Sequence, residues 1–480
     1  MNQEQNHNLS PDGQAECDLG DRYFRNEEYE KALKCFREAS AKGNATAQRH
    51  IGFLYNKGLG VEKNDEEALK WYLMAAEQGD PAAQCNAAIL YEEGDGVEQD
   101  YGKAMEWYRK AADQGDAIAQ RHVGILYDQG LGVKQDHAKA LEWYLKGAEQ
   151  GELGCQFNAG CMIYNGLGTK ADHARAFHWM LKAAEQGYPD ARFYVGKMLA
   201  RGAGVSRDFE AALKWLLPLG DHPNVQFELA MIYYNEQDFE KAARCFLKAA
   251  EGNHRDAMFD LGHLYTMGRG VEADEKKAME WFLKAAECGS LPAMFCVGEN
   301  YRNGSGVVAD AHEAFGWYLR AARQGYAPAE YMTGMMYILG LGVEQNYDRA
   351  FPWMQKAAAH GDVNALRDLG KMYTYGHGTV RDAPKAIDCL LKAAELGDAI
   401  SQNHIAMRYC MGDGFEKDYG KAMEWFQKAA AQEMPDAQRN IGHLYAEGLG
   451  VEKDLAKAAE WYRKAAAQGD EEAQNRLDSL

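Results

Sequence analysis

A chain of 480 residues, 46% of them hydrophobic, has ample apolar surface for a core, and its negative mean hydropathy suits a thin elongated core better than one large globule. Acidic residues outnumber basic ones 72 to 53, and the net charge of −19 repels phosphate backbones, so nucleic acid is excluded as an expected partner. No window approaches the ~20 apolar residues of a membrane helix, which excludes membrane insertion.

The chain opens on "MNQEQNHNLSPDGQ", with neither a positive n-region nor an apolar h-region. Residues 1–12 are therefore expected to be a disordered tail rather than a secretion signal, and a cytoplasmic location follows as the expectation. From residue 13 onward the chain repeats itself. Ten units of 36 residues begin at Ala45, Pro81, Ala117, Leu153, Arg255, Leu291, Ala327, Val363, Ala399 and Pro435. Three shorter units cover 13–44, 189–222 and 223–254, and a half unit, "EEAQNRLDSL", closes the array.

Each unit starts with a helical pattern whose fixed places fall three and four apart, on one face. Gly or Ala holds the eighth place in all thirteen units, for example Gly52, Ala88 and Gly124. A mid-helix Gly costs about 1 kcal/mol against Ala, so its recurrence calls for close approach of a neighbouring helix. A loop with Gly-x-Gly follows in eleven units, such as Gly58 with Gly60. The first Gly suits the left-handed residue that ends a helix, and the second lets the backbone turn back. Four residues later stands Asn or Asp, as in Asn64, Asp100 and Asp136, in position to cap a second helix. That helix reads "A-x-x-W-Y/F-x-K-A-A", and all ten Trp of the chain occupy its one Trp place, which predicts indoles packed between layers.

A hairpin of this size cannot bury its apolar face alone, whereas a stack of hairpins buries a continuous ribbon of core. The expected fold is all-α: an α/α solenoid of about 13 two-helix repeats plus a C-terminal half repeat. Pro218, late in a second helix that is two residues short, marks a break in stacking, and two continuous arrays are expected, 13–222 and 223–480. Pro352 should kink or open the helix that contains it, while Pro384 falls in a first turn and is tolerated.

The pattern Ala-x-x-x-x-Gly-x-x-Tyr, Gly-x-Gly-Val, Asp, Ala-x-x-Trp-Tyr-x-Lys-Ala-Ala resembles the Sel-one-like repeat, a 36-residue relative of the tetratricopeptide repeat. Units 13–44 ("YFRNEEYEKALKCF") and 223–254 ("YYNEQDFEKAARCF") lack the Gly-x-Gly loop and resemble plain tetratricopeptide repeats. The resemblance implies a right-handed superhelix acting as a protein-binding adaptor or scaffold, often in bacterial signalling, envelope or host-interaction settings.

Signatures of chemistry are missing. The seven Ser include no S-x-x-K and no G-x-S-x-G, and there is no P-loop, no H-E-x-x-H and no dinucleotide fingerprint. The ten Cys fall at scattered places of the unit, with no pairing that repeats in register, which favours reduced thiols. His50, His122 and His404 share the sixth place of different units, too far apart along a solenoid to share a metal. An enzyme is not expected, and neither a cofactor nor a metal site is expected.

Where the copies differ, binding is the expected reason. The variable places of the first helix line the concave groove in tetratricopeptide relatives. The fifth place reads Arg49, Cys85, Arg121, then Phe157, Phe193, Phe227, Phe259, Phe295 and Tyr331, then Arg367, Asn403 and Arg439. Two readings of this aromatic run stand together: thickened core between first helices, or a groove lining in which one ring face packs and the other is offered to a ligand. Arg121 and Arg367 flank the run, and Met335 and Met407 at the ninth place, with Met267, Leu339 and Met411 at the thirteenth, extend an apolar strip. Flexible Met beside fixed aromatics suits an adaptable groove for an amphipathic helix or extended apolar peptide. The expected function is a non-enzymatic scaffold binding a protein segment through residues 153–345. A hydrolase of β-lactams or cell wall with an unrecognised site, and a secreted effector, are the alternatives.

Overall fold

The computed structural model describes residues 12–480, and the expected tail, 1–12, lies outside them except for Asp12. Among the described residues there are twenty-seven α-helices and no strand, joined as consecutive antiparallel hairpins from Gln14–Arg25 with Tyr29–Ser40 to Pro435–Glu447 with Leu455–Ala466. A single helix, Glu471–Asp478, closes the stack. The fold is an all-α solenoid of thirteen two-helix repeats. The chain divides into two compact units after Ile232, inside the helix Pro223–Asn235, and each unit is taken by itself below.

The local signals act as their chemistry dictates. Asn64 accepts a hydrogen bond from the backbone N–H of Glu67 at 2.9 Å, and Asp100 does the same for Lys103, so one of the donors left unpaired at the start of these second helices is satisfied, whereas Tyr29–Ser40 has no such cap. The first Gly of the loop takes the left-handed conformation that ends the first helix, with φ +67° at Gly58 and +71° at Gly130. The second Gly has a reason beyond turning. A Cβ on Gly96 would lie 2.3 Å from the backbone nitrogen of Glu66, and one on Gly342 would lie 2.0 Å from the carbonyl oxygen of Ala311. These loops thus rest directly on the first turn of the second helix of the preceding hairpin, a place with no room for a side chain, whereas Gly414 faces only the end of the Ile387 side chain.

The eighth-place Gly is explained the same way. A Cβ on Gly52 would meet the Tyr72 ring at 2.7 Å, and one on Gly298 would meet Tyr318 at 2.7 Å. The residue after each Trp, not the Trp itself, is therefore the plug of the hairpin: Tyr108, Tyr318, Tyr462 and Phe426 are all fully buried, and so is Phe246, which follows Cys245 in the Trp place. Only Trp143 and Trp179 are buried among the ten indoles. The Trp107 indole packs against Ala75, Ala76 and Ala83 of neighbouring helices, and the ammonium of Lys110 lies 3.7 Å from its ring centroid. Lys428 covers Trp425 at 3.8 Å in the same way, so the Lys of the repeat pattern shields an indole face that packing leaves open.

A polar ladder also ties the hairpins. The buried amide of Gln120 donates to the carbonyl of Ala112 at 3.2 Å and accepts from the amide of Gln150 at 2.8 Å. Gln84 with Ala76 and Gln114 repeats the arrangement one hairpin earlier. Truncation by Gln120→Ala removes both bonds, leaving the Ala112 carbonyl with the Gly115 N–H alone and the exposed Gln150 amide to water, and is expected to cost about 1–3 kcal/mol for the two bonds. Urea denaturation monitored by circular dichroism checks this; an unchanged midpoint would remove the ladder from the stability account.

Two irregular places differ in outcome. The helix Phe209–Leu216 stops short, and Leu217–Leu219 forms a 3-10 turn around Pro218. Pro352 does not open its helix: Tyr347–Ala359 runs through it. The ring is exposed, so the carbonyl that loses its donor faces water rather than core.

Candidate functional site

The fifth-place residues lie where each first helix faces the next. In the first unit Arg49 pairs with Asp80 at 3.3 Å and Arg121 with Glu152 at 3.5 Å. In the second unit Arg367 pairs with Asp398 at 2.8 Å, and Arg439 with Asp470. In all four pairs the acid also caps the following first helix, accepting from the N–H of Ala83, Cys155, Ser401 or Ala473. At two of the aromatic fifth places, Phe157 and Phe295, the same relation becomes ring on ring. Phe157 contacts Tyr188 at a centroid distance of 5.1 Å, and Phe295 contacts Tyr326 at 5.9 Å.

Arg121 and Arg367 are thereby engaged in ties between neighbouring hairpins, each half-buried. Phe157, Phe193 and Phe227 stand in the first unit and Phe259, Phe295 and Tyr331 in the second, all half-buried. Phe193 contacts Tyr194 at 5.7 Å, and Phe259 packs on Phe282 at 5.9 Å. Phe295, Tyr331, Met335 and Ile338 pack against one core cluster of the second unit, and the Tyr331 hydroxyl donates to Asp368 at 3.2 Å. One face of these side chains is committed to packing.

The exposed apolar side chains lie elsewhere on the same helices. In the second unit the last residue of the first helix is Met267, Asn303, Leu339, Tyr375 and Met411 in successive hairpins, ahead of the final Glu447. The four apolar members are 56%, 56%, 58% and 61% exposed, and Met407, one turn back on its helix, is 36% exposed. The equivalent residues of the first unit are Lys57, Glu93, Gln129, Asn165 and Arg201, all polar. Sequence reasoning placed Met267, Leu339 and Met411 in this row and missed Tyr375, although the thirteenth place was the signal. Large side chains are thus left in water at one register of four hairpins.

A carboxyl sits inside the second unit. On the helix Arg255–Met267, burial and then the neighbouring Asp256 push Asp260 up to about 6, against about 3.9 for an unperturbed Asp. The native state thus binds the proton more tightly than the unfolded chain. The destabilisation is absent below about pH 4, grows as pH rises through about 4–6, and is complete above about 6. Asp260→Asn should accordingly stabilise the second unit at pH 7 by up to about 3 kcal/mol, with no difference from the parent near pH 4. Thermal melts of both proteins across that range check the sign.

No helix among the described residues is long and apolar enough to cross a membrane. The architecture, a stack of short hairpins that ends its first helices on a shared register, defines the class of repeat solenoids typical of protein-interaction scaffolds. The Sel1 repeat family matches thirteen times in succession, at 14–44, 45–80, 81–116, 117–152, 154–188, 189–219, 223–254, 255–290, 291–326, 327–362, 363–398, 399–434 and 435–470, so the chain belongs to the Sel1 repeat family. Among solved structures it is similar to c5321, a protective antigen present in uropathogenic Escherichia coli strains that displays an SLR fold, at 30% identity over 93% of this chain and 89% of that one, with a TM-score of 0.59. A Sel1 repeat protein from Oxalobacter formigenes is 31% identical over 56% of this chain and 96% of that one, with a TM-score of 0.40. No curated protein is matched by the chain.

Proposed function

We propose that this protein is a non-enzymatic scaffold whose second unit holds an amphipathic protein segment along the C-terminal ends of its first helices. The observation that carries the reading is the exposed row Met267, Leu339, Tyr375 and Met411, set against the polar residues at the same place in the first unit. Met335 and Met407 add adaptable surface beside it, and the half-buried aromatics behind, Phe259, Phe295 and Tyr331, keep the helices that present it in register. A net charge of −19 favours a segment whose polar face is basic.

A designed Leu/Lys amphipathic helix labelled with a fluorophore supplies the probe. Burial of each apolar side chain is worth about 1.5–3 kcal/mol, so Leu339→Ser with Met411→Ser should weaken binding by about tenfold or more. Gln129→Ser with Asn165→Ser, at the same place in the first unit, should leave it unchanged. Binding that survives the second-unit substitutions, with circular dichroism unaltered, rejects the reading.

A further inference from the structure

The helices Gln14–Arg25 and Ala45–Lys57 bring together three donor groups that sequence spacing does not announce. Cys17 and Asp21 lie one turn apart on the first, and His50 faces them from the second. A thiol sulfur, a carboxylate oxygen and an imidazole nitrogen all lie within 4.8 Å of one another. Cys17 is completely buried, and the Asp21 and His50 side chains keep 30% and 24% of their surface. The His50 Nδ1 is buried and lies 3.0 Å from the Asp21 carboxylate, yet no hydrogen bond is aligned with it. The imidazole is held in place by Phe24, stacked at 6.3 Å, and by the edge of Phe36 at 4.8 Å.

We propose that Cys17, Asp21 and His50 form a binding site for a borderline divalent cation of the zinc type, clipping the first hairpin to the second. Sulfur, nitrogen and oxygen donors in one cluster are the set such a cation selects, and three protein ligands leave a fourth position for water. A divalent ion with one thiolate and one carboxylate is locally neutral, which suits a half-buried place. Arg49, the nearby cation, is tied to Asp80 at 3.3 Å rather than aimed at the cluster, and Asp18 adds a further negative charge beside it.

The register shows that the cluster is particular to this end of the array. Cys85 and His122 occupy the places of Cys17 and His50 two hairpins later, but Ile89 stands where Asp21 would be, and His122 turns to Glu92 at 3.0 Å. A bound ion would add to the stabilisation that the first hairpin draws from packing on the second.

Cobalt(II) titration of the full chain tests the proposal. One equivalent should bind with a thiolate-to-cobalt charge-transfer band, zinc should displace it, and the melting temperature should rise with either metal. Cys17→Ser should abolish the band and weaken binding by more than about tenfold, the loss that even an outer-shell substitution can cause. Cys85→Ser should change nothing. Should Cys17→Ser fail to fold, Asp21→Asn at the half-exposed ligand must give the same loss of affinity. No saturable binding at micromolar cobalt or zinc, a band that persists in Cys17→Ser, or full affinity in Asp21→Asn would overturn the site.

Discussion

Gly342→Ala is expected to destabilise the second unit by about 2–5 kcal/mol, and Gly325→Ala by only about 1–2. Both glycines have left-handed backbones, with φ +68° at Gly342 and +82° at Gly325, so both substitutions carry the strain of placing an L side chain there, about 1–2 kcal/mol. They differ in surroundings. Nothing lies within 4 Å of a Cβ on Gly325, whereas one on Gly342 runs into the Ala311 carbonyl, oxygen at 2.0 Å and carbon at 2.2 Å. Backbone cannot swing aside as a side chain can, so overpacking adds about 1–3 kcal/mol. Urea denaturation of the two variants measures the difference, and equal losses would show that the loop does not rest on its neighbour as described.

Tyr318→Ala should cost about 3–5 kcal/mol, the range for truncating a fully buried aromatic, while Trp317→Ala beside it should cost about 1–2 because only one face of that indole leaves water. The ring of Tyr318 is 0% exposed and packs on Gly298, where nothing else fits. Its hydroxyl donates to Glu299, and burial followed by this bond pushes the phenol up. Trp317 is half-buried, with the Arg320 guanidinium 4.6 Å from its ring centroid. A larger loss from Trp317→Ala would restore the indole as the main plug of the hairpin, as the one fixed place of every Trp had suggested. Thermal and urea unfolding of the pair decide the order.

The aromatic run from Phe157 to Tyr331 was visible as an interruption in a row of Arg, but its meaning depends on a residue 31 positions later in the 36-residue units. Arg121 and Glu152, or Phe157 and Tyr188, are the same contact in two chemistries. Variation at this place therefore includes exchange of one hairpin tie for another, which weakens variability alone as evidence for a ligand. The thirteenth-place row is different: Leu339 and Tyr375 are more than half exposed, and no packing need explains why they are apolar.

The sequence by itself determined the period, the two helices of each unit, their caps and the left-handed glycines. Each of these depends on hydrogen bonds and dihedral angles within a few residues, so Asn64 and Gly58 carry their instructions locally. Only the tertiary structure decided that the residue after each Trp is the buried one, that Gly342 touches a preceding helix, that Gln120 links two hairpins, and that Cys17, Asp21 and His50 converge. Those relations join residues far apart along the chain, and their distances are set by how one hairpin seats on the next, a matter of packing that no single unit contains.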